Sequence, residues 1–245
     1  MASQPIYEMY AELKEYEPKM WRRFQVMNNI SMSRLAYIIM TMFEMEANHL
    51  FCFEVPFAEN YFKEQEKRCK KEDIIDIFKD HPELIRWRIE LLSEEDDCPY
   101  EGRIMDAEET KLKQVLGYAG DKLSFEYDFG DGWEIMVVLE RILEDSDISG
   151  KELPRVLEGE GYGIIEDCGG PGGLENLVTV FRRKGGEEYE YYKKWLGKEE
   201  LDLSIFDLKD INFRLKKLPR IYRDIYEYGL EPTAQSMKLL RREYK

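Results

Sequence analysis

The stretch LSFEYDFGDGWEIMVVLE, residues 123–140, decides the fold. Leu123, Phe125, Tyr127 and Phe129 alternate with Ser124, Glu126 and Asp128. After Gly130-Asp131-Gly132, Trp133, Ile135, Val137 and Leu139 alternate with Glu134, Met136, Val138 and Glu140. Two period-two runs around a Gly/Asp cluster read as an antiparallel hairpin. A two-residue Asp-Gly turn would set Phe129 against Glu134 and mix apolar with charged. A three-residue Gly-Asp-Gly loop sets Phe129 against Trp133, Tyr127 against Ile135 and Phe125 against Val137, which makes one apolar face. Gly132 supplies the positive φ that such a loop needs. The three-residue loop is therefore expected.

That register gathers Asp128 and Glu134 on the opposite face, with Asp131 at the tip. At about 5 Å and an effective dielectric of about 20, two carboxylates repel by roughly 3 kcal/mol. Solvation, a cation or an Arg partner would relieve this. Asp128, Asp131 and Glu134 are accordingly the candidates for holding a divalent metal.

Working outward, residues 6–14 and 20–27 read as strands around a turn at Glu17-Pro18. Arg22 and Arg23 cannot both point to one face, so one of them leans toward other structure. Residues 28–31 offer helix caps, and Leu35, Ile38, Ile39, Met42 and Phe43 recur at helical spacing as a core stripe. A strand follows at 50–55, entered by His49. Residues 61–80 carry a helical repeat that His81-Pro82 ends. A strand is expected at 85–91, a solvated acidic loop at 93–97, and a short helix at 107–116. Residues 144–163 read as loop. The run Glu166-Asp167-Cys168-Gly169-Gly170-Pro171-Gly172-Gly173 opens a helix at 174–183. Its glycines permit a tight turn packed on other backbone, or a presentation of N–H groups to an anion. It is no P-loop, because no Lys-Ser/Thr follows. Helices are expected at 187–196, 208–218, 219–228 and 232–244. The fold class is α+β: a mixed β-sheet containing the central hairpin, helices packed on it, and a helical C-terminal part.

YDFGDGWE followed by EDCGGPGG resembles the plasmid pRiA4b ORF-3-like family, also described as passenger proteins of transposable elements. MWRRFQV, HLFCFEV, and WLG followed by FDLKDIN match it in order, over roughly residues 6–55 and 104–215. The resemblance implies one α+β domain over 1–218 with an elaboration at about 56–103, and a helical extension at 219–245. It carries no activity, since the family is a domain of uncharacterised function. Members usually carry a His where this chain has Ile135, so chemistry through that imidazole is not expected here.

Composition bounds the function. With 51 acidic against 36 basic residues the net charge is −15, which argues against broad nucleic-acid coating. Cys52, Cys69, Cys98 and Cys168 form no CxxC pair, and His49 and His81 form no HExxH, so those zinc patterns are excluded. No leader and no apolar run of about 20 residues is visible, so a reduced, cytoplasmic protein with no membrane contact is expected. The Asp-Phe-Gly triplet lacks the other kinase motifs and is rejected as such.

Three readings are carried forward. The first is a non-catalytic binding or interaction module with a protein or nucleic-acid partner, given basic tracts at Arg22-Arg23, 182–184 and 238–242. The second is a metal-dependent or acid–base enzyme built on the GDG tip and the EDCGG turn. The third is thiol chemistry at Cys168, placed ahead of a helix N-terminus, with His49 as base. The binding module is preferred because no spacing demands catalysis. The ligand-binding candidates are Asp128, Asp131, Trp133, Glu134, Glu166, Asp167, Cys168 and His49, on two Gly-shaped loops.

Overall fold

The computed structural model describes residues 4–65, 78–79, 81–92, 100–144 and 148–244. The expected acidic loop at 93–97, most of the helix at 61–80, Cys69 and Cys98 lie outside the described residues. Among the described residues eight strands form one mixed sheet: β1 (Ile6–Leu13), β2 (Trp21–Met27), β3 (Phe51–Val55), β4 (Trp87–Glu90), β5 (Arg103–Asp106), β6 (Lys122–Tyr127), β7 (Trp133–Leu143) and β8 (Arg155–Glu160). Their order is β5-β4-β3-β6-β7-β1-β2-β8, with β4 and β5 parallel and every other pair antiparallel. The hairpin β6–β7 is thus the middle of the sheet.

Alternation assigns the two faces. Leu123, Phe125, Tyr127, Trp133, Ile135, Val137 and Leu139 are buried on one face beside Met9, Ala11, Phe24 and Phe53. Against that face lies α1 (Met32–Met42), whose Ser31 cap accepts from the Arg34 N–H. Ten of its eleven residues are buried, because α6 (Leu208–Leu215) and α7 (Leu218–Tyr226) cover its outer side. Leu215, Leu218, Tyr222 and Leu240 belong to the same core as the sheet, so the C-terminal helices share it. The last of them is α8 (Ala234–Leu240). The other α-helices among the described residues are α2 (Phe57–Gln65), α3 (Leu112–Val115), α4 (Gly170–Arg183) and α5 (Glu187–Leu196). No helix among the described residues is long and apolar enough to cross a membrane.

The other face is polar and laced by cross-strand pairs. Arg23 on β2 pairs with Glu140 (2.5 Å) and Glu158, and Glu8 takes Arg141 and Gln25 (2.8 Å). Strand alternation sends Arg22 the other way, into the core, where it is fully buried. Its guanidinium donates to five carbonyls: Met42 (3.1 Å), Trp21 (2.8 Å), Glu160 (2.6 Å), Gly161 (2.8 Å) and Tyr162 (2.7 Å). Phe43 and Phe206 sandwich it at 5.0 and 4.7 Å. Arg22 therefore pins the chain leaving β8 against the end of α1. Neither arginine reaches the hairpin tip, and both are already committed to partners, so this basic tract offers nothing to a phosphate.

At the outer edge of β8, Asn212 of α6 faces the strand. Its Oδ1 accepts from the Val156 N–H (2.9 Å), and its Nδ2 donates to the Val156 carbonyl (3.0 Å).

Several expectations are corrected. Tyr127 pairs with Trp133, Phe125 with Ile135 and Leu123 with Val137, so the hairpin loop spans residues 128–132 rather than three residues. The shift is two positions, which preserves the faces. Asp128 leaves the strand at φ +54°, and its carbonyl accepts from the Gly132 N–H (2.6 Å) to close the wider loop. Glu134 consequently opposes Glu126, not Asp128. Residues 107–116 hold only the short α3, preceded by the edge strand β5, and the expected loop at 144–163 contains β8. Helix α4 starts at Gly170, four residues earlier than expected.

Candidate functional site

Three segments meet at one end of the sheet: the entry to β3, the β6–β7 loop and the turn before α4. The pairing of β3 with β6 runs one residue beyond the strands, where the Asp128 N–H donates to the Leu50 carbonyl (3.0 Å). That bond sets Asp128 beside His49. The turn arrives from Arg22's carbonyl clamp through Ile164, whose N–H donates to the Phe43 carbonyl (3.0 Å).

Contact between turn and tip requires glycine. A Cβ on Gly170, at φ +70°, would lie 2.2 Å from the Asp131 carbonyl oxygen, and one on Gly173 would lie 1.8 Å from that of Cys168. The Gly169 N–H donates to Asp131 Oδ2 (3.1 Å), binding turn to tip directly. Asp128 and Asp167 both sit in the left-handed region, at φ +54° and +60°. Asp tolerates this conformation better than most residues. In both cases the carboxylate reaches the same imidazole.

His49 Nε2 lies 3.4 Å from Asp128 Oδ2, 3.4 Å from Asp167 Oδ1 and 4.0 Å from Glu166 Oε2. The atom is buried and makes no hydrogen bond. Two donors bound to one cation at about 2.1 Å stand roughly 3.0–3.4 Å apart in octahedral or tetrahedral geometry. The two shorter separations match that spacing, and the ligand atoms of His49, Asp128 and Asp167 all fall within 4.8 Å of one another. At that distance two carboxylates repel by roughly 3 kcal/mol at an effective dielectric of about 20, and a divalent cation between them reverses the sign.

Glu166 is fixed by protein donors instead. Its Oε1 accepts from the Tyr127 hydroxyl (2.5 Å) and the Glu46 N–H (2.6 Å), and its Oε2 accepts from the Asn48 side chain (2.8 Å). Tyr127 also accepts from the Asn48 N–H (3.1 Å), and its ring stands edge-on to His49 at 5.6 Å. Burial, then Tyr226 and Glu166, pushes the Tyr127 hydroxyl far above its ordinary range, so it stays a neutral donor. Glu166 thereby ties the turn to the 45–49 loop and adds negative potential behind the imidazole.

The eight candidate residues separate into groups. His49, Asp128, Asp167 and Glu166 come together, and Asp131 holds the turn through Gly169. Trp133 is fully buried opposite Tyr127, with its indole N–H unpaired, so it faces core rather than ligand. Glu134 lies on the polar face, where Ser124 donates to it, because alternation turns it away from the tip. It is no partner for Asp128. Cys168 is half-buried, and burial together with Asp131 pushes its thiol up to about 12, opposite to the expected helix-terminus effect. At neutral pH it is a thiol, a poor nucleophile. Tyr127, Asn48 and Tyr226 were not singled out from sequence. Tyr127 had a signal in its place inside the YDFGDGWE motif, whereas Asn48 and Tyr226 had none.

A cleft of about 980 Å³ meets the cluster through Asn48, Glu166 and Asp167, and Trp195, Lys198 and Arg241 also line it. A second cleft of about 1100 Å³ lies on the polar face beside Glu126 and Glu134, without His49, Asp128 or Asp167. The first is the one that meets the site.

Two proteins of unknown function resemble this chain. The chain is 29% identical over 109 residues to the uncharacterized protein y4hQ of Sinorhizobium fredii (strain NBRC 101917 / NGR234), covering 44% of this chain and 55% of that one. The match thus spans about half the length of that relative. The crystal structure of a protein of unknown function, MM3350 from Methanosarcina mazei Go1, superposes with a TM-score of 0.65 at 24% identity, covering 84% of this chain and 97% of that one. That likeness establishes the fold alone. The sequence pattern of the plasmid pRiA4b ORF-3-like proteins matches residues 5–213, and the segments carrying His49, Asp128, Glu166 and Asp167 all fall inside it. The chain belongs to the plasmid pRiA4b ORF-3-like protein family.

Proposed function

We propose that the protein is a metal-dependent binding module in which His49, Asp128 and Asp167 hold a divalent transition cation beside the 980 Å³ cleft that Asp167 lines. The observation that carries the reading is His49 Nε2, buried without a hydrogen bond and 3.4 Å from each of two carboxylates. One imidazole with two carboxylates favours Zn²⁺ or Mn²⁺ over Mg²⁺ and Ca²⁺, which prefer all-oxygen sets. Three protein donors leave positions open to an acidic group of a partner or ligand. Metal-assisted hydrolysis is the second reading, favoured by the same open positions.

The test is thermal unfolding and calorimetric titration of EDTA-stripped protein with each cation. A cation at about 100 times its dissociation constant adds roughly 2.7 kcal/mol of stability. Zn²⁺ or Mn²⁺ is expected to raise the melting temperature of the wild type and to do nothing for Asp128→Asn or His49→Gln. A wild type indifferent to all four cations would sink the proposal. Turnover of a generic phosphodiester by the loaded protein, lost in Asp128→Asn, would move hydrolysis ahead.

A further inference from the structure

The 45–49 loop carries His49 and two of the groups that hold Glu166, the Glu46 N–H and the Asn48 side chain, yet it has no regular structure of its own. Both of its ends are held from outside. Tyr222 donates its hydroxyl to the Met45 carbonyl (2.6 Å), and Tyr226 donates to the carbonyl of His49 itself. Both tyrosines lie on α7 one helical turn apart, so one face of the helix spans the loop. Tyr222 is fully buried. The Tyr226 ring stacks on Tyr37 at 5.9 Å and meets Phe51 edge-on at 5.4 Å, fixing where its hydroxyl points. Residues 218–226 lie beyond the family-matched span, which ends at 213.

We infer that α7 is a positioning element added to the family domain: Tyr226, through the backbone of His49, sets the imidazole for the cation. The inference rests on the metal reading above. The imidazole hangs from a backbone with two soft dihedrals, and a hydrogen bond to the carbonyl of the same residue restrains the peptide plane that ψ sets. Outer contacts that orient a ligand typically change metal affinity by about 10- to 100-fold when removed. Tyr226→Phe keeps the ring and its stacking and removes only the hydroxyl.

Tyr37→Phe is the matched control. The Tyr37 hydroxyl donates to Glu227 (3.1 Å) just past the same helix, so its loss loosens helix docking without touching the loop. Calorimetric titration with Zn²⁺, and Mn²⁺ titration followed by electron paramagnetic resonance, are run on wild type, Tyr226→Phe and Tyr37→Phe. The expected result is about tenfold weaker binding and an altered Mn²⁺ spectrum in Tyr226→Phe, with Tyr37→Phe like wild type. Equal affinity in Tyr226→Phe and wild type overturns the positioning role while leaving the metal site standing. Equal weakening in both variants also overturns it, since helix docking alone would then account for the effect. A wild type that binds neither cation overturns the metal reading and this inference together.

Discussion

Gly170→Ala should break the contact on which the site is assembled. The new Cβ would sit 2.2 Å from the Asp131 carbonyl oxygen, about 1 Å inside ordinary contact, and the acceptor is backbone that cannot swing aside. At φ +70° an alanine costs about 1 kcal/mol. Moving the turn off the tip lengthens the bond from the Gly169 N–H to Asp131, worth about 1.5 kcal/mol as a hydrogen bond to a charged acceptor. Overpacking adds about 1–3 kcal/mol. The combined loss is about 4 kcal/mol, or roughly 10 °C in melting temperature for a chain of this size. Asp167 lies on the displaced turn, so Zn²⁺ affinity should fall at least about tenfold. Scanning calorimetry and metal titration read both quantities. Gly172→Ala is the internal control: its Cβ meets nothing within 4 Å and its φ is ordinary, so a gain of up to about 1 kcal/mol is expected. A Gly170→Ala protein within about 1 kcal/mol of wild type, with unchanged metal affinity, would refute the idea that turn–tip contact builds the site.

Two further outcomes follow from buried and half-buried charge. Arg22→Met strands the carbonyls of Met42 and Gly161 in the core, and urea unfolding should show a loss of about 3–5 kcal/mol; a loss below about 1 kcal/mol would show that those carbonyls find other donors. Burial, followed by Glu54, raises the Glu126 carboxyl above its ordinary 4.5, so the folded state binds that proton more tightly than the unfolded one. Its contribution is present below pH 4.5 and declines as pH rises through the raised value. Glu126→Gln should remove that decline from a melting-temperature profile, and parallel profiles for the two proteins would contradict it.

The apolar alternation of residues 123–139 was readable because burial on one sheet face leaves a period of two in the chain. Loop length is not readable in the same way, because Asp128 as well as glycine takes a positive φ and leaves the strand. Phe129, counted as core, is half exposed under the Arg88 guanidinium at 5.3 Å. Strand β8 leaves no alternation in the sequence because RVLEGE buries only Val156. Strand β5 leaves none because it is four residues of edge with none buried. The site was half legible. Its loops announced themselves by glycine and acid, but His49 lies 79 residues before Asp128 and 118 before Asp167, as counted along the chain. Only a shared sheet end brings them together. Sequence offered no means of telling Asp128, which leaves the strand and turns to His49, from Glu134, which stays on the polar face.

Asn212 has a consequence for how the molecule meets its own copies. The rim of a sheet is a template on which another chain can add, and sheet proteins that leave it bare tend to polymerise. Here one carboxamide occupies both the donor and the acceptor of Val156, the pair that an incoming strand would need first. A single side chain therefore acts as a one-residue ninth strand. It blocks growth of the sheet at Val156, alongside Pro154 just before the strand and the charged Arg155, Glu158 and Glu160 on it.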